Sequence, residues 1–302
     1  MLDILIPAYN CSATLGNTLQ SLVNQKTTET FHVIVYDDGS AENLQEIVQE
    51  FSDKLDITYI RGEFNRGVGA VRQQLIVNSI APFFTFLDAD DIVHPNFVST
   101  FYFLVNNDNS QGYDIFVTDF IEMRADGSSK IMKYPNNKRL THGKFFRHSL
   151  INKYNITSEE DIVLTDDICF ALKCLEMGQV FYLPETTMTW NYVEGSMSRR
   201  DLTQIYRPNM MKTVYSILSF LLQYKTLDEI QCYYELMNRV KRIMKTDLSD
   251  LTPENQNIVK IYYSKISLLT MTAKKRKLKF PFSFEMKKFD FSYFFLYNIY
   301  RK

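Results

Sequence analysis

The chain has 302 residues, 45% of them hydrophobic, and a formal net charge of −1, which is room for one large α/β domain plus an appendage and leaves no global field for nucleic acid. Its four cysteines (Cys11, Cys169, Cys174, Cys232) have neither Cys-x-x-Cys nor zinc spacing and are too few for a disulfide scaffold, which fits a reducing compartment. No secretory signal precedes the first strand pattern, and no run reaches about 18 uninterrupted apolar residues, so no spanning helix is expected.

Leu2 to Ile6 reads as a strand, and Pro7 ends it in the loop Pro7-Ala8-Tyr9-Asn10. Ser12 or Asn10 can cap the next helix, whose apolar face is Leu15, Leu19, Leu22 and Val23. Phe31 to Tyr36 is a second strand, ending in Asp37-Asp38-Gly39-Ser40 before a helix through Leu44, Ile47, Val48 and Phe51. Ile57 to Ile60 is a third. Asn65-Arg66-Gly67-Val68-Gly69-Ala70-Val71-Arg72 then turns into a helix through Leu75 and Ile76; its two glycines fall short of a dinucleotide fingerprint. A fourth strand, the apolar run up to Leu87, ends abruptly in Asp88-Ala89-Asp90-Asp91. Acids that close raise one another's pKa and call for a counter-ion. The cluster reads either as a solvated turn or as a site for a hard divalent cation and a diphosphate. Three strands thus end in polar loops, and in an open parallel sheet such loops share one crevice.

A helix is expected over Pro95 to Val105, a strand over Tyr113 to Phe120, and a hairpin over Met123 to Tyr134 turning at Asp126-Gly127. Lys138 to Asn152 is polar and basic, then helical. Asp166-Asp167 opens an apolar helix that Gly178 closes. Val180 to Leu183 and Thr187 to Tyr192 read as two strands, and Glu194 to Arg200 as a loop. Beyond a boundary near residue 200 come helical patterns at Met210 to Tyr224, Asp228 to Lys245 and Pro253 to Met271. The end of the chain, 274–302, alternates lysine and arginine with phenylalanine and tyrosine.

Ile6-Pro7-Ala8-Tyr9-Asn10, Asp37-Asp38-Gly39-Ser40, Asn65-Arg66-Gly67 with Arg72, Leu87-Asp88-Ala89-Asp90-Asp91, Asp166-Asp167 and Ser196-Met197-Ser198-Arg199, in this order, resemble a family 2 glycosyltransferase. The resemblance covers residues 1–200 and implies a GT-A fold, a Rossmann-like, mostly parallel sheet flanked by helices, followed by a helical region over 201–302. It implies that Pro7, Ala8, Tyr9 and Asn10 line a nucleotide base, that Asp38 accepts from the base edge, and that Arg72 faces the diphosphate. Asp88 and Ala89 would lie by the ribose, with Asp90 as the main ligand of Mn²⁺ or Mg²⁺ and Asp88 beside it. Asp167 would be the general base, next to Asp166 where the family usually has Glu. Ser196, Ser198 and Arg199 would close over the diphosphate; the His often found before that Ser is replaced here by Tyr192 and Val193. The implied activity is inverting, metal-dependent transfer of a hexosyl or N-acetylhexosaminyl group from a UDP-sugar to a hydroxyl of a glycan, glycopolymer or lipid-linked acceptor, in bacterial surface polysaccharide or teichoic acid synthesis.

Two rival classes are a nucleotidyltransferase, which would carry a basic Gly-rich loop after the first strand, and a non-catalytic carbohydrate-binding protein on the same fold. Trp190 reads as a sugar platform or as core. His32, His94, His142 and His148 lack ligand spacing and read as structural or solvated. The basic–aromatic tail reads either as a peripheral membrane element, placing the enzyme at the inner, cytoplasmic face of the membrane, or as a surface packing on the helices or on a second copy of the chain. A nucleic-acid role is not expected, because no basic groove accompanies the tail.

Overall fold

The computed structural model describes residues 1–107, 111–194 and 203–277. Three strand–helix repeats and a fourth strand open it: β1 (Leu2–Ala8), α1 (Ser12–Val23), β2 (Phe31–Asp37), α2 (Leu44–Gln49), β3 (Ile57–Arg61), α3 (Val68–Asn78) and β4 (Phe83–Phe86). The short β5 (Ile92–Val93) and α4 (Phe97–Asn106) follow, then β6 (Ile115–Met123), β7 (Ser129–Met132), β8 (Lys144–Arg147) and α5 (His148–Tyr154). The rest comprises α6 (Asp166–Met177), β9 (Val180–Trp190), α7 (Thr203–Leu221), α8 (Tyr233–Lys245) and α9 (Pro253–Lys277).

The strands form one sheet in the order β3-β2-β1-β4-β8-β6-β9-β5, with β7 paired to β6. The first four are parallel, as their alternation with helices requires. Ala8 stands opposite Asp37, so β1 and β2 end side by side. Beyond β4 the sheet is mixed: β8 runs antiparallel to β4 and β6, β9 is parallel to β6, and β5 is antiparallel to β9.

Period-two alternation sends side chains to two apolar layers. On one face Ile4, Ile6, Val33 and Val35 pack with Leu15, Leu19, Leu44, Phe97 and Phe101. On the other, Leu5, Ile34, Phe84 and Phe146 pack with Leu75 of α3 and Phe170 of α6. That second cluster continues without interruption into Val214 of α7, Val240 of α8 and Val259 of α9. The helical region beyond residue 200 therefore shares its core with the sheet.

Three elements differ from the sequence reading. Lys144–Arg147 is a strand where a polar stretch and helix were expected; four residues headed by a lysine carry no usable periodicity. The two strands expected over 180–192 are one strand, β9. Tyr182 pairs with Val117 and Thr186 with Asp119, so β9 bulges through the segment holding Pro184, which a bulge tolerates. Helix α7 starts at Thr203, ahead of Pro208.

Gly69, in the first turn of α3, permits a close approach. A Cβ there would lie 2.1 Å from the Glu159 carbonyl oxygen, which belongs to backbone and cannot swing aside. Gly67 before it holds φ at 90°, a region side chains disfavour. Gly69→Ala should destabilise the fold by about 1–3 kcal/mol through this overpacking. Urea denaturation would show the lowered midpoint, and an unchanged midpoint would mean that the contact between α3 and residues 159–162 is loose.

Candidate active site

The crevice is built first from the ends of β1 and β2. Asn10 adopts the left-handed region (φ 46°), which Asn tolerates. Its N–H donates to Ser40 Oγ at 2.9 Å, and its Oδ1 accepts from the Ala41 N–H at 2.9 Å, so the two loops are tied together. Asp37 Oδ1 accepts from the Ser40 N–H, while its Oδ2 accepts from the Tyr59 hydroxyl and Arg61. The neighbouring Asp38 is buried and accepts from the backbone N–H groups of Arg66 (2.9 Å) and Gly67 (2.8 Å), which fixes the entry into α3. Pro7 and Ala8 lie in β1 itself, Ala8 buried, whereas Tyr9 is 48% exposed beside them.

The end of β4 carries the charged centre. Arg72, buried on α3, donates from Nη2 to Asp88 Oδ1 at 2.8 Å and from Nη1 to Asp166 Oδ2 in a very short contact. The guanidinium thereby joins α3, the acidic turn and the N-terminus of α6. On the far side of Asp88 stands His142, its Nε2 3.7 Å from Asp88 Oδ2 and 3.2 Å from Asp91 Oδ2. Its ring packs between Phe120 and Trp190, at centroid distances of 5.3 and 5.1 Å. Asp91 is fully buried and its Oδ1 accepts from the Asn191 N–H; the Asn191 side chain donates to the Asp90 carbonyl.

The charges do not balance locally. Burial alone would raise the Asp88 carboxyl, but Arg72 and then His142 outweigh it and hold it below its usual range. Burial pushes Asp91 and Asp166 upward against their cationic neighbours. Asp90 rises to about 7, through burial and then through Asp88 and Asp91. Asp167 is half-buried and also rises to about 7, through burial and then through Asp166. Burial disfavours a charged His142, yet Asp91 and Asp88 prevail and raise it. Lys144, fully buried, donates to the Asn137 carbonyl at 3.0 Å, and burial lowers it to about 7.

One carboxylate oxygen each from Asp88 and Asp91 and a ring nitrogen of His142 lie within 4.8 Å of one another. Asp91 Oδ2 and both His142 nitrogens are buried without a hydrogen-bond partner; the 3.2 Å approach between them is not aligned for one. A cation between them would satisfy these buried polar atoms. Two carboxylates and an imidazole suit a divalent cation. The residues therefore fit a metal.

The structure brings together Arg72, Asp88, Asp166 and Asp167, and sets Asn10 and Asp38 in the adjoining loops. The Asp90 carboxylate stands outside the Asp88–Asp91–His142 set. Ser196, Ser198 and Arg199 lie outside the described residues. His142 stands in this donor set, whereas the sequence reading gave all four histidines structural or solvated roles. No ligand spacing reveals it, because it arrives from a segment over 50 residues downstream of the acidic turn. The available signal was Gly143 after it, which has φ 66° and whose Cβ would stand 2.7 Å from the Thr118 carbonyl. That tight approach of β8 to β6 places the histidine.

The profile of Glycosyl transferase family 2 matches residues 3–167, more than half of the chain. The chain belongs to this family. A chondroitin synthase of Pasteurella multocida is 46% identical over 90 residues, which is 30% of this chain and 9% of that protein. An uncharacterized glycosyltransferase of Mycoplasma pneumoniae is 27% identical over 197 residues, covering 59% of this chain and 64% of that protein. Among solved structures, S. aureus TarS 1-349 in complex with UDP-GlcNAc superposes with TM-score 0.74 at 18% identity, over 91% of this chain and 83% of that one. A mannosyltransferase of Pyrobaculum calidifontis in complex with GDP-Man and Mn²⁺ gives 0.57 at 12% identity, over 92% and 81%. At these identities the superpositions show the fold, which is GT-A, and the chain spans less than two thirds of the length of the curated relatives it matches.

Removing Arg72 strands two carboxylates that it neutralises. Arg72→Ala should cost about 3–5 kcal/mol in stability. Removing Asp166 as well should recover part of that loss, because the uncompensated charge goes with it. A double-mutant cycle by chemical denaturation checks both; simple additivity would show that the pair does not couple.

Proposed function

We propose that this glycosyltransferase is metal-dependent and inverting, and that it moves a sugar from a UDP-sugar to a hydroxyl of a glycan, glycopolymer or lipid-linked acceptor. The observation that carries the reading is the Asp88–Asp91–His142 donor set standing beside Arg72 and the Asp166–Asp167 pair. UDP-GlcNAc in the TarS structure and GDP-Man with Mn²⁺ in the mannosyltransferase support a nucleotide-sugar and a metal in this fold. The chondroitin synthase likeness supports a polysaccharide acceptor in a bacterial setting.

In this reading Pro7, Ala8, Tyr9 and Asn10 form the wall against the base, with the exposed Tyr9 ring as its outer part. Asp38 shapes the base pocket through the Arg66–Gly67 turn, and its remaining lone pairs face the base edge. Asp88, Asp91 and His142 would hold the cation, and the crowding that raises Asp90 is what a cation relieves. When bound, the metal neutralises negative charge on the departing diphosphate. Arg72 orders Asp88 and Asp166, and its Nε, which has no partner, is left for a diphosphate oxygen. Ser196, Ser198 and Arg199 are assigned to the same diphosphate, and Ala89 to the ribose side. Asp167 takes the proton of the acceptor hydroxyl, with Asp166 fixed by Arg72 next to it. The pull of Arg72 on Asp166 leaves Asp167 as the half-buried carboxylate free to accept that proton.

Among the described residues no helix is long and apolar enough to cross a membrane. We assign the enzyme to the inner, cytoplasmic face of the membrane, held there by the basic–aromatic tail over 274–302, of which 278–302 lie outside the described residues. The helices beyond residue 200 are the surface we assign to any self-association.

Calorimetric titration of UDP, GDP, CDP and ADP, with and without Mn²⁺, tests the donor. Binding of UDP that requires Mn²⁺ is expected, and His142→Ala should weaken it by about tenfold or more. Absence of binding to every diphosphate would overturn the donor assignment.

Asp167→Asn should leave Mn²⁺-dependent UDP affinity unchanged while lowering kcat by about 10²–10⁴-fold. The acid must be deprotonated to act, and it titrates at about 7. Wild-type kcat/KM should therefore fall as the pH drops through about 7, and that limb should vanish from the residual activity of the variant. A limb that survives would assign the base to another group.

A further inference from the structure

A second cavity, of about 430 Å³, lies between the segment 154–162, α6, α7 and α9. None of its lining residues belongs to the acid cluster around Arg72. Its volume falls in the range that holds a small ligand. Tyr215 and Tyr262 form one side, ring edge to face at 5.6 Å, and Phe220 with Tyr224 another, at 5.4 Å.

Between these rings the charges come as pairs. Lys173, fully buried, donates to Glu159 Oε1 in a very short contact, and the Ser216 hydroxyl donates to the same oxygen at 2.7 Å. At the rim Lys212 Nζ donates to the Asp161 carbonyl at 3.0 Å and stands 3.5 Å from its carboxylate. Two cations face two carboxylates, so the cavity exerts no net attraction on an anion. It offers donors, acceptors and ring faces together. Ser219 also lines it, with an Oγ that has no hydrogen-bond partner. A neutral, hydroxyl-rich ring matches that chemistry: its polar edges meet the paired charges and its C–H faces meet the tyrosines.

We propose that this cavity is a saccharide subsite that holds a neutral stretch of the acceptor glycan away from the reacting hydroxyl. The inference rests on the reading of the acceptor as a glycan. The cavity is wired to the catalytic side. The Glu159 side chain lines it while the Glu159 carbonyl abuts Gly69 at the start of α3. Further along, the Val163 N–H donates to Asn209 of α7, and Thr165, just before Asp166, pairs with Thr213 of α7 at 2.5 Å. A saccharide seated against α7 and Glu159 therefore lies on the segment that leads to Asp167.

The test is an array of short neutral oligosaccharides of hexose and N-acetylhexosamine units, chitotriose and cellotriose among them, probed with the full chain and followed by titration of the strongest binder. Tyr262→Ala and Ser219→Ala should each weaken that binder by about tenfold. Tyr262→Phe, which keeps the ring, should retain most of the affinity, and melting temperature controls for folding. An array on which nothing binds, or a binder indifferent to both substitutions, overturns the subsite. Mn²⁺-dependent UDP affinity measured on the same samples separates the two readings. Its loss with oligosaccharide binding intact would sink the donor assignment alone, and the reverse would sink the subsite alone.

Discussion

One guanidinium organises the centre of this molecule. Arg72 reaches from α3 to Asp88 at the end of β4 and to Asp166 at the start of α6, and it does so buried. Taking such a group out of water costs several kcal/mol per ion, and apolar side chains of similar volume would stabilise the fold as well or better. Its value is positional. Arg72 of α3 holds the turn after β4 and the start of α6 with their carboxylates at one place, and Asp167 is carried along by its neighbour.

That arrangement leaves an excess of negative charge. Asp88, Asp90, Asp91, Asp166 and Asp167 share Arg72, His142 and the more distant Lys144 as counter-charges. The result is uneven: Asp88 is held low by its two cationic neighbours, whereas Asp90 and Asp167 rise to about 7. Uneven titration of neighbouring acids is how one site separates a group that stays ionised from a group that can take a proton. The same excess is what a divalent cation at Asp88, Asp91 and His142 would offset.

The parallel half of the sheet was legible from residues 1–91, because each strand there is a short apolar run and each ends in a polar loop. Parity did the rest, since Leu5 and Ile34 oppose Ile4 and Val33 across the sheet. The acidic turn and the Asp166-Asp167 pair were legible as charges where apolar segments stop or start. The second half was not. Lys144 heads a strand by pairing with Val117 of β6 while its buried ammonium reaches the Asn137 carbonyl, contacts that no local pattern reveals. Pro184 reads as a break, yet β9 continues through it on a bulge. His142 is recruited by long-range packing, so spacing along the chain says nothing about it.

These unread parts are the ones that finish the metal-binding geometry. Asp91 is steered by the Asn191 N–H, a hundred residues away, as β9 leaves the sheet. His142 is clamped between Phe120 of β6 and Trp190 of β9, so the ring suspected of stacking on sugar is engaged with the histidine. Gly143 lets β8 press against β6 and sets the histidine's height. The parallel half thus supplies most of the acids, while the mixed half decides which of them converge. A change in the β9 bulge or at Gly143 would leave every acidic motif intact in the sequence and still scatter the donor atoms.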